Sequence, residues 1–369
     1  MRIAPSISEN DAHMPAIWRI LATLLGDTSV CQADLRSRTG LSHPVVVQQV
    51  AQLRRSGLIQ FGSPQGGITG RPRIPIAFNW DFRRLLAVEV HPAGVTFQAT
   101  DLAGRPIGKV ETGAIASWTQ QRIDEALSSG IRNALQTHGS PWAGIGIVIP
   151  AAIDTDRRTV ASWPVIPTWQ HDPLAERLEQ AFALPVFLCN EAEALARAVW
   201  AECDGPARSI IAISLRQNLR AVMAMMTGNC ADHSMDGPFG AIGHIEVCDS
   251  EARCAECGTT CLNAALQAAR SDAALRPQVI ESLAKIMADM VTVFNPGCLV
   301  LQVDVDWIPA ETETVREILQ ARAFYGTGRE LVYQPFPYQA RENLIGVASA
   351  MAGQLLDLRT GRLNEWMTA

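Results

Sequence analysis

No apolar run in this chain of 369 residues is long enough to cross a bilayer. The longest, such as Ala143–Ile153, fall well short of the ~20 residues a membrane helix needs. The stretch from Met1 to Trp18 lacks the apolar core of a signal peptide, so the expectation is a soluble, cytoplasmic protein. Lysine is missing from the first 80 residues. That segment holds eight arginines (Arg2, Arg19, Arg36, Arg38, Arg54, Arg55, Arg71 and Arg73) against four acids (Glu9, Asp11, Asp27 and Asp34). It therefore carries +4, and the remainder carries −10 of the total −6. A basic head on an acidic body points to a nucleic-acid module joined to something else. A hydrophobic content of 48% with 18% charged residues excludes global disorder. The length suits two or three domains rather than one simple core. Cysteine is not scarce, but its nine positions are an odd number, scattered through a chain without secretory features. Outside residues 254–261 the cysteines sit in apolar contexts and read as reduced core residues.

The exception is the densest chemistry in the sequence. Gly243-His244-Ile245-Glu246-Val247 is followed by Cys254-Ala255-Glu256-Cys257-Gly258-Thr259-Thr260-Cys261. Cys254 and Cys257 form a C-x-x-C, Gly258 allows a tight turn, and Cys261 lies one short turn further on. With His244 they make four S and N donors of the kind tetrahedral Zn²⁺ prefers, and a closed four-ligand site is structural rather than catalytic. The competing reading is a redox C-x-x-C.

Residues 15–59 read as three helices. Pro15 opens the first, whose apolar stripe is Ile17, Ile20, Leu21, Leu24 and Leu25. Thr28 or Ser29 is expected to cap the second, and Gly40 to end it. Ser42 is expected to cap the third, with Pro44 in its first turn. Val46, Val50 and Leu53 share one face of that helix, while His43, Val47, Gln48, Gln49 and Gln52 lie off it. This is a helix-turn-helix pattern whose third helix would enter a major groove, with Ser42 and His43 at its start and Gln48 and Gln49 as base readers. Gln60–Gly62 and Ile74–Phe78 read as strands of a wing around a Gly-rich loop, from which Arg71 and Arg73 would reach phosphate or the minor groove.

The body alternates. Leu85–Val90, Val95–Thr100 and Ile107–Glu111 read as a meander, followed by a helix from about Thr119 to Thr137 and a buried strand, Ala143–Ile149. Helix Pro173–Ala183, strand Val186–Cys189 and helix Glu191–Ala201 follow. The order then partly repeats, with strands Ile210–Leu215 and Arg220–Met226, helices Cys261–Ala269 and Arg276–Phe294, and strand Leu299–Val303. A meander leading into alternating helices and strands, given twice, predicts two related α/β lobes with a ligand cleft between them. Trp163 and Trp169 read as a packed, rigid loop and Met223, Met225 and Met226 as core. His91 reads as structural, and Arg216 and Arg220 as solvated surface residues, with the holding of an anionic effector as the alternative.

Head, doubled body and Gly-His…Cys cluster together resemble the repressor branch of the ROK family (repressor, open reading frame, kinase), similar to its xylose and N-acetylglucosamine regulators. The resemblance covers nearly the whole chain. It rests on Gly243-His244 with the cysteines, on Cys189-Asn190-Glu191-Ala192-Glu193-Ala194-Leu195-Ala196, on Phe294-Asn295-Pro296 and on Gly70-Arg71-Pro72 after the helix-turn-helix. It implies an α/β, actin-like ATPase (ribonuclease H-like) two-lobed body with an N-terminal winged helix-turn-helix. The implied domains are 1–80 for DNA, 81–190 for the first lobe, completed by a C-terminal helix 342–369, and 191–341 for the second lobe with its zinc loop. It further implies a structural Zn²⁺ on His244, Cys254, Cys257 and Cys261, and a sugar-like effector near Asn190, Glu191, His244 and Asn263. The implied partners are operator DNA and a second copy, as homodimer or homotetramer.

The departures separate repressor from kinase. ROK kinases carry Asp-x-Gly-Gly-Thr on the first strand pair, where this chain has Glu89-Val90-His91-Pro92-Ala93. Their second phosphate loop, Gly-Thr-Gly-x-Gly, corresponds to Arg216-Gln217-Asn218-Leu219-Arg220. Backbone cannot cradle phosphate closely there without glycine, and phosphoryl transfer depends on that positioning. Glu191 stands where the kinases place a catalytic Asp, Ala241 and Asn263 where the family has sugar-binding glutamates, and Pro150-Ala151 where it has Pro-Gly. The middle cysteine is shifted one place, to Cys257, with the spacing of Cys254 to Cys261 kept. The expectation is a non-enzymatic, effector-gated regulator. The alternatives are a sugar kinase with an appended DNA-binding domain, and a zinc or redox switch centred on the three cysteines.

Overall fold

The computed structural model describes residues 14–26, 29–65, 73–91, 94–115, 118–139, 141–154, 158–163, 166–202, 209–216, 220–227, 230–231, 240–247, 252–305, 307–308, 312–322, 332–337, 340–357, 363 and 365–366. Helix α1 spans Ala16–Gly26, α2 Gln32–Thr39 and α3 His43–Arg55. Their apolar stripes meet in one core, where Ile20, Leu21, Leu24, Leu35, Val46, Val50 and Leu53 are buried. Gly40 ends α2 in the left-handed region (φ 64), and its N–H donates to the Arg36 carbonyl. The Arg19 guanidinium, from α1, donates to the Thr39 carbonyl at the same turn.

The expected Thr28 or Ser29 cap is corrected. Thr28 lies outside the described residues, and Cys31 precedes α2, its N–H donating to Asp34 Oδ2 at 2.9 Å. Val30 pairs as an isolated bridge with Ile76, so the chain leaves the hairpin only at Cys31 and the helix starts later than composition suggested. That hairpin is β1 (Ile59–Phe61) against β2 (Ile76–Phe78), extended by a Gln65–Arg73 bridge.

Two five-stranded sheets form the body. The first runs in the order β5-β4-β3-β6-β9, from β3 (Arg84–His91), β4 (Gly94–Asp101), β5 (Pro106–Gly113), β6 (Trp142–Val148) and β9 (Val186–Cys189). A small hairpin, β7 (Ala152–Asp154) and β8 (Thr159–Ser162), interrupts it in sequence. The second runs β12-β11-β10-β13-β14, from β10 (Ser209–Leu215), β11 (Ala221–Thr227), β12 (Cys230–Ala231), β13 (Cys298–Val303) and β14 (Val332–Pro337). In both, an antiparallel meander is flanked by two strands parallel to its first. Helices α4 (Gln120–Thr137), α5 (Leu174–Phe182), α7 (Leu262–Ser271), α8 (Arg276–Phe294) and α9 (Thr312–Arg322) complete the outer layers.

Helices α6 (Glu191–Glu202) and α10 (Ala340–Leu355) pack on each other, α10 against β3 and β6 and α6 against β10 and β11. Glycine makes this possible. A Cβ on Gly346 would meet the Ala194 carbonyl oxygen at 1.8 Å, and one on Gly146 would meet Val347 Cγ2 at 2.8 Å. The expected C-terminal helix 342–369 is thus α10, ending at Leu355, with Trp366 lying against Phe82 at 5.9 Å between ring centroids. Trp163 and Trp169 are buried in the first lobe, their rings 5.2 Å apart. Among the described residues no helix is long and apolar enough to cross a membrane.

Candidate metal centre and interlobe site

A single turn, Ile242–His244, sets the histidine of the metal cluster. Gly243 is required there, because a Cβ would meet Asn263 Oδ1 at 2.0 Å. Beyond it the chain pairs with the segment preceding α7. Val247 N–H donates to the Thr260 carbonyl and Leu262 N–H to that of Ile245, with Glu246 bridged to Cys261. This pairing carries His244 to the cysteines. The knuckle closes itself through Gly258, at φ 74, whose N–H donates to the Cys254 carbonyl, and Glu256 N–H points at Cys254 Sγ at 3.4 Å.

One ligand atom from each of His244, Cys254, Cys257 and Cys261 lies within 4.8 Å of the others. His244 Nδ1 faces Cys254 Sγ and Cys261 Sγ at 3.9 Å each. Three thiols and one imidazole nitrogen at these separations suit a tetrahedral ion, whose neighbouring donors stand roughly 3.5–4 Å apart when its bonds are ~2.0–2.3 Å long. Contact with Thr259 holds the exposed Cys257 thiol down at about 6, and burial pushes Cys261 up to about 11. The other imidazole nitrogen, Nε2, lies 3.5 Å from Glu256 Oε2, and Glu256 Oε1 lies 3.4 Å from Arg220. A carboxylate behind a ligating histidine fixes its ring and tautomer. Glu256 was not singled out in the sequence, although its place between two ligand cysteines was visible.

At the other end of the candidate cleft, α6 begins directly after β9. Asn190 Oδ1 accepts the Glu193 N–H at 2.8 Å, so one acceptor of the expected effector set already caps this helix. Asn263 Oδ1 likewise accepts the Ala221 N–H at 3.0 Å and holds the start of β11. Glu191 is buried, with Oε2 lacking a hydrogen-bond partner among the described residues. Burial drives its carboxyl up to about 7, against the opposing pull of Arg216 and Arg220.

Arg216 corrects the surface reading made from sequence. Its side chain is 1% exposed, and Nη1 donates to Glu89 Oε1 at 3.1 Å, a carboxylate equally buried. Asn343 Nδ2 donates to the same oxygen at 2.8 Å. Arg220 is also largely enclosed, at 15% exposure, by its pairing with Glu256. A carboxylate 127 residues away in sequence supplies the partner that local composition could not reveal. His91, read as structural, bonds Thr96 Oγ1 through Nε2 at 2.8 Å, and desolvation, aided by Arg216, lowers its pKa.

In the head, Ser42, His43, Val47 and Gln48 are exposed, Gln49 is half-buried, and Val46, Val50 and Leu53 are anchored in the core. Arg73 is exposed on the hairpin, its backbone paired with Gln65 through two 2.7 Å hydrogen bonds, and Arg71 lies outside the described residues.

The ROK family model matches residues 93–276. The xylose repressor of Bacillus subtilis is 25% identical over 246 residues, spanning 65% of this chain and 62% of the repressor. The chain spans about half the length of the curated relatives it matches, down to 44% for transcriptional regulators from Mycobacterium tuberculosis. A crystal structure of a ROK family transcriptional regulator, described as a homolog of the Escherichia coli MLC protein, shares the fold. Its TM-score is 0.73 at 19% identity, over 92% of this chain and 94% of that one. A ROK family glucokinase from Streptomyces griseus, solved with glucose and AMPPNP, shares the fold over a smaller part of this chain. Its TM-score is 0.57 at 20% identity, over 73% of this chain and 99% of the kinase. The matched segment begins beside β4 and ends at the start of α8, taking in the histidine, the three cysteines and Asn190-Glu191. The chain belongs to the ROK family.

Proposed function

We propose that the chain is a DNA-binding transcriptional repressor, gated by a carbohydrate-like effector, in which the kinase activity of the fold has been lost. The observation that carries this reading is the division of α3. Val46, Val50 and Leu53 fix it to the head while His43, Val47, Gln48 and Gln52 face outward beside the hairpin that bears Arg73. In a winged helix-turn-helix this is the helix that enters the major groove, where glutamine pairs with adenine edges. Ser42 and His43 would meet the backbone at its start, and Arg71 and Arg73 would do so from the wing. Residues 1–80 would be this DNA-binding domain, 81–190 with α10 the first lobe, and 191–341 the second.

Zn²⁺ on His244, Cys254, Cys257 and Cys261 would be structural, tying the Ile242–His244 turn to the start of α7. In this reading the effector would be met by His244 from the metal loop and by Asn190 and Glu191 from the start of α6. Because Asn263 is committed to Ala221, it would serve as a wall rather than a sugar acceptor. A dimer or tetramer working in the cytoplasm would present two heads to half-sites about one helical turn (~34 Å) apart, and effector binding would alter their spacing. Against catalysis stands the cleft itself, where Arg216 and Glu89 occupy the two stretches that would hold nucleotide phosphates. The alternative, a sugar kinase with a DNA-binding head, is favoured by the shared glucokinase fold. It requires ADP release with some hexose.

The test is fluorescence anisotropy with duplex DNA from upstream of the chain's own gene against a scrambled duplex. The proposal expects a preference of at least about a thousandfold, with affinity falling steeply as salt rises. Equal affinity for both duplexes would overturn it.

A further inference from the structure

In α/β proteins small ligands settle where the carboxyl ends of parallel strands open onto a crevice. Here the residues at those ends face one another across two sheets. Glu89 lies near the end of β3, and Arg216 is the first residue after β10, the strand that holds the same position in the second sheet. Asp304 follows β13 directly, and its N–H donates to the Leu215 carbonyl. Asn343 stands in the first turn of α10. The Glu89 and Arg216 side chains are each 1% exposed and meet at 3.1 Å, Asn343 donates to the same carboxylate oxygen at 2.8 Å, and Asp304 Oδ2 approaches Arg216 Nε at 3.7 Å. Burying both charges is tolerated only with a close partner. Because each partner belongs to a different sheet, the pair cannot form unless the lobes are drawn together.

We infer that Glu89 and Arg216 form a built-in latch between the lobes, so that the protein's own guanidinium, rather than a bound ligand, holds the floor of the crevice closed. Asn343 orients the carboxylate from α10, the helix that already bears on α6 through Gly346. The latch therefore joins β3, β10 and the α6–α10 pair at one point. A molecule entering the crevice from the side of Asn190 and His244 would meet lobes whose separation is already fixed.

Hydrogen exchange on the full chain tests this, with wild type, Glu89→Gln, Arg216→Met and the double variant compared. Either single substitution is expected to speed exchange by about tenfold or more at the ends of β3 and β10 and at the starts of α6 and α10. The rise there should exceed that in the head, α4 and the outer face of α8, which follow only the change in global stability. Since both changes cut one latch, the double variant should exchange at those sites no faster than the more open single. Uniformly faster exchange, unchanged crevice rates, or additive effects in the double variant would each overturn the inference. Circular dichroism of the conservative Glu89→Gln variant confirms that the compared protein is folded.

Discussion

The two sheets share one strand order but treat the equivalent strand end in opposite ways. In the first, β3 carries a buried acid, Glu89; in the second, the residue leaving β10 is a buried base, Arg216. The first sheet packs closely on α10 because β6 offers Gly144 and Gly146 to that helix. Its counterpart β13 is a continuous run, Leu299, Val300, Leu301. The second lobe instead acquires a cysteine loop between β12 and α7. A repeated topology thus supplies the scaffold, and the differences between its copies supply the charge pair and the metal cluster.

The sharpest way to break this comparison is to remove one charge. Arg216→Met should lower unfolding free energy in urea by about 3–5 kcal/mol, since it leaves Glu89 buried without its main partner. A loss within about 0.5 kcal/mol would mean that Arg216 behaves as a surface residue.

Glu191, at the junction after β9, comes next. Its folded-state value of about 7 lies above the 4.5 of an exposed glutamate, so the folded protein binds the proton more tightly. Stability on this account falls as pH rises from about 4.5 to about 7, the reverse of the usual salt-bridged acid. Glu191→Gln should therefore stabilise the protein at pH 8 by on the order of 3 kcal/mol and change little at pH 4, measured by urea unfolding at both values.

Gly346→Ala is expected to cost about 1–3 kcal/mol by forcing α10 away from α6, read in the same unfolding curves. The narrowest effect belongs to the metal. The wild type is expected to carry zinc by elemental analysis, and Cys261→Ser to lose it and exchange faster at residues 240–247 and 252–262, leaving the first sheet unchanged. Exchange rising throughout both lobes would show that the metal holds more than its loop.

Much of this architecture was legible. The spacing of Ile20, Leu21, Leu24, Val46, Val50 and Leu53 gave three helices, because a core-facing stripe repeats with the helical turn. The strands of the first meander and the pair β10–β11 were legible as short runs rich in apolar and β-branched residues between turn signals. The hairpin β7–β8, the two-residue β12, helix α9 and strand β14 were not foreseen; the first two are too short to show a period. The metal cluster was readable because its four residues lie within one segment. The Glu89–Arg216 pair was not, since 127 residues separate its members and a lone arginine beside an apolar strand looks solvated. Asn190 and Asn263 were read for their chemistry, but backbone N–H groups at α6 and β11 engage their acceptors, which only the folded chain reveals.

The most direct test of a regulator that senses a small molecule but has given up nucleotide is a thermal-shift comparison of Mg-ATP with sugars, sugar acids and sugar phosphates. A ligand at ~100 times its dissociation constant adds about 2.7 kcal/mol of stability, well within reach of the method. The account predicts a shift with a sugar-like compound and none with Mg-ATP. A shift with Mg-ATP would contradict it.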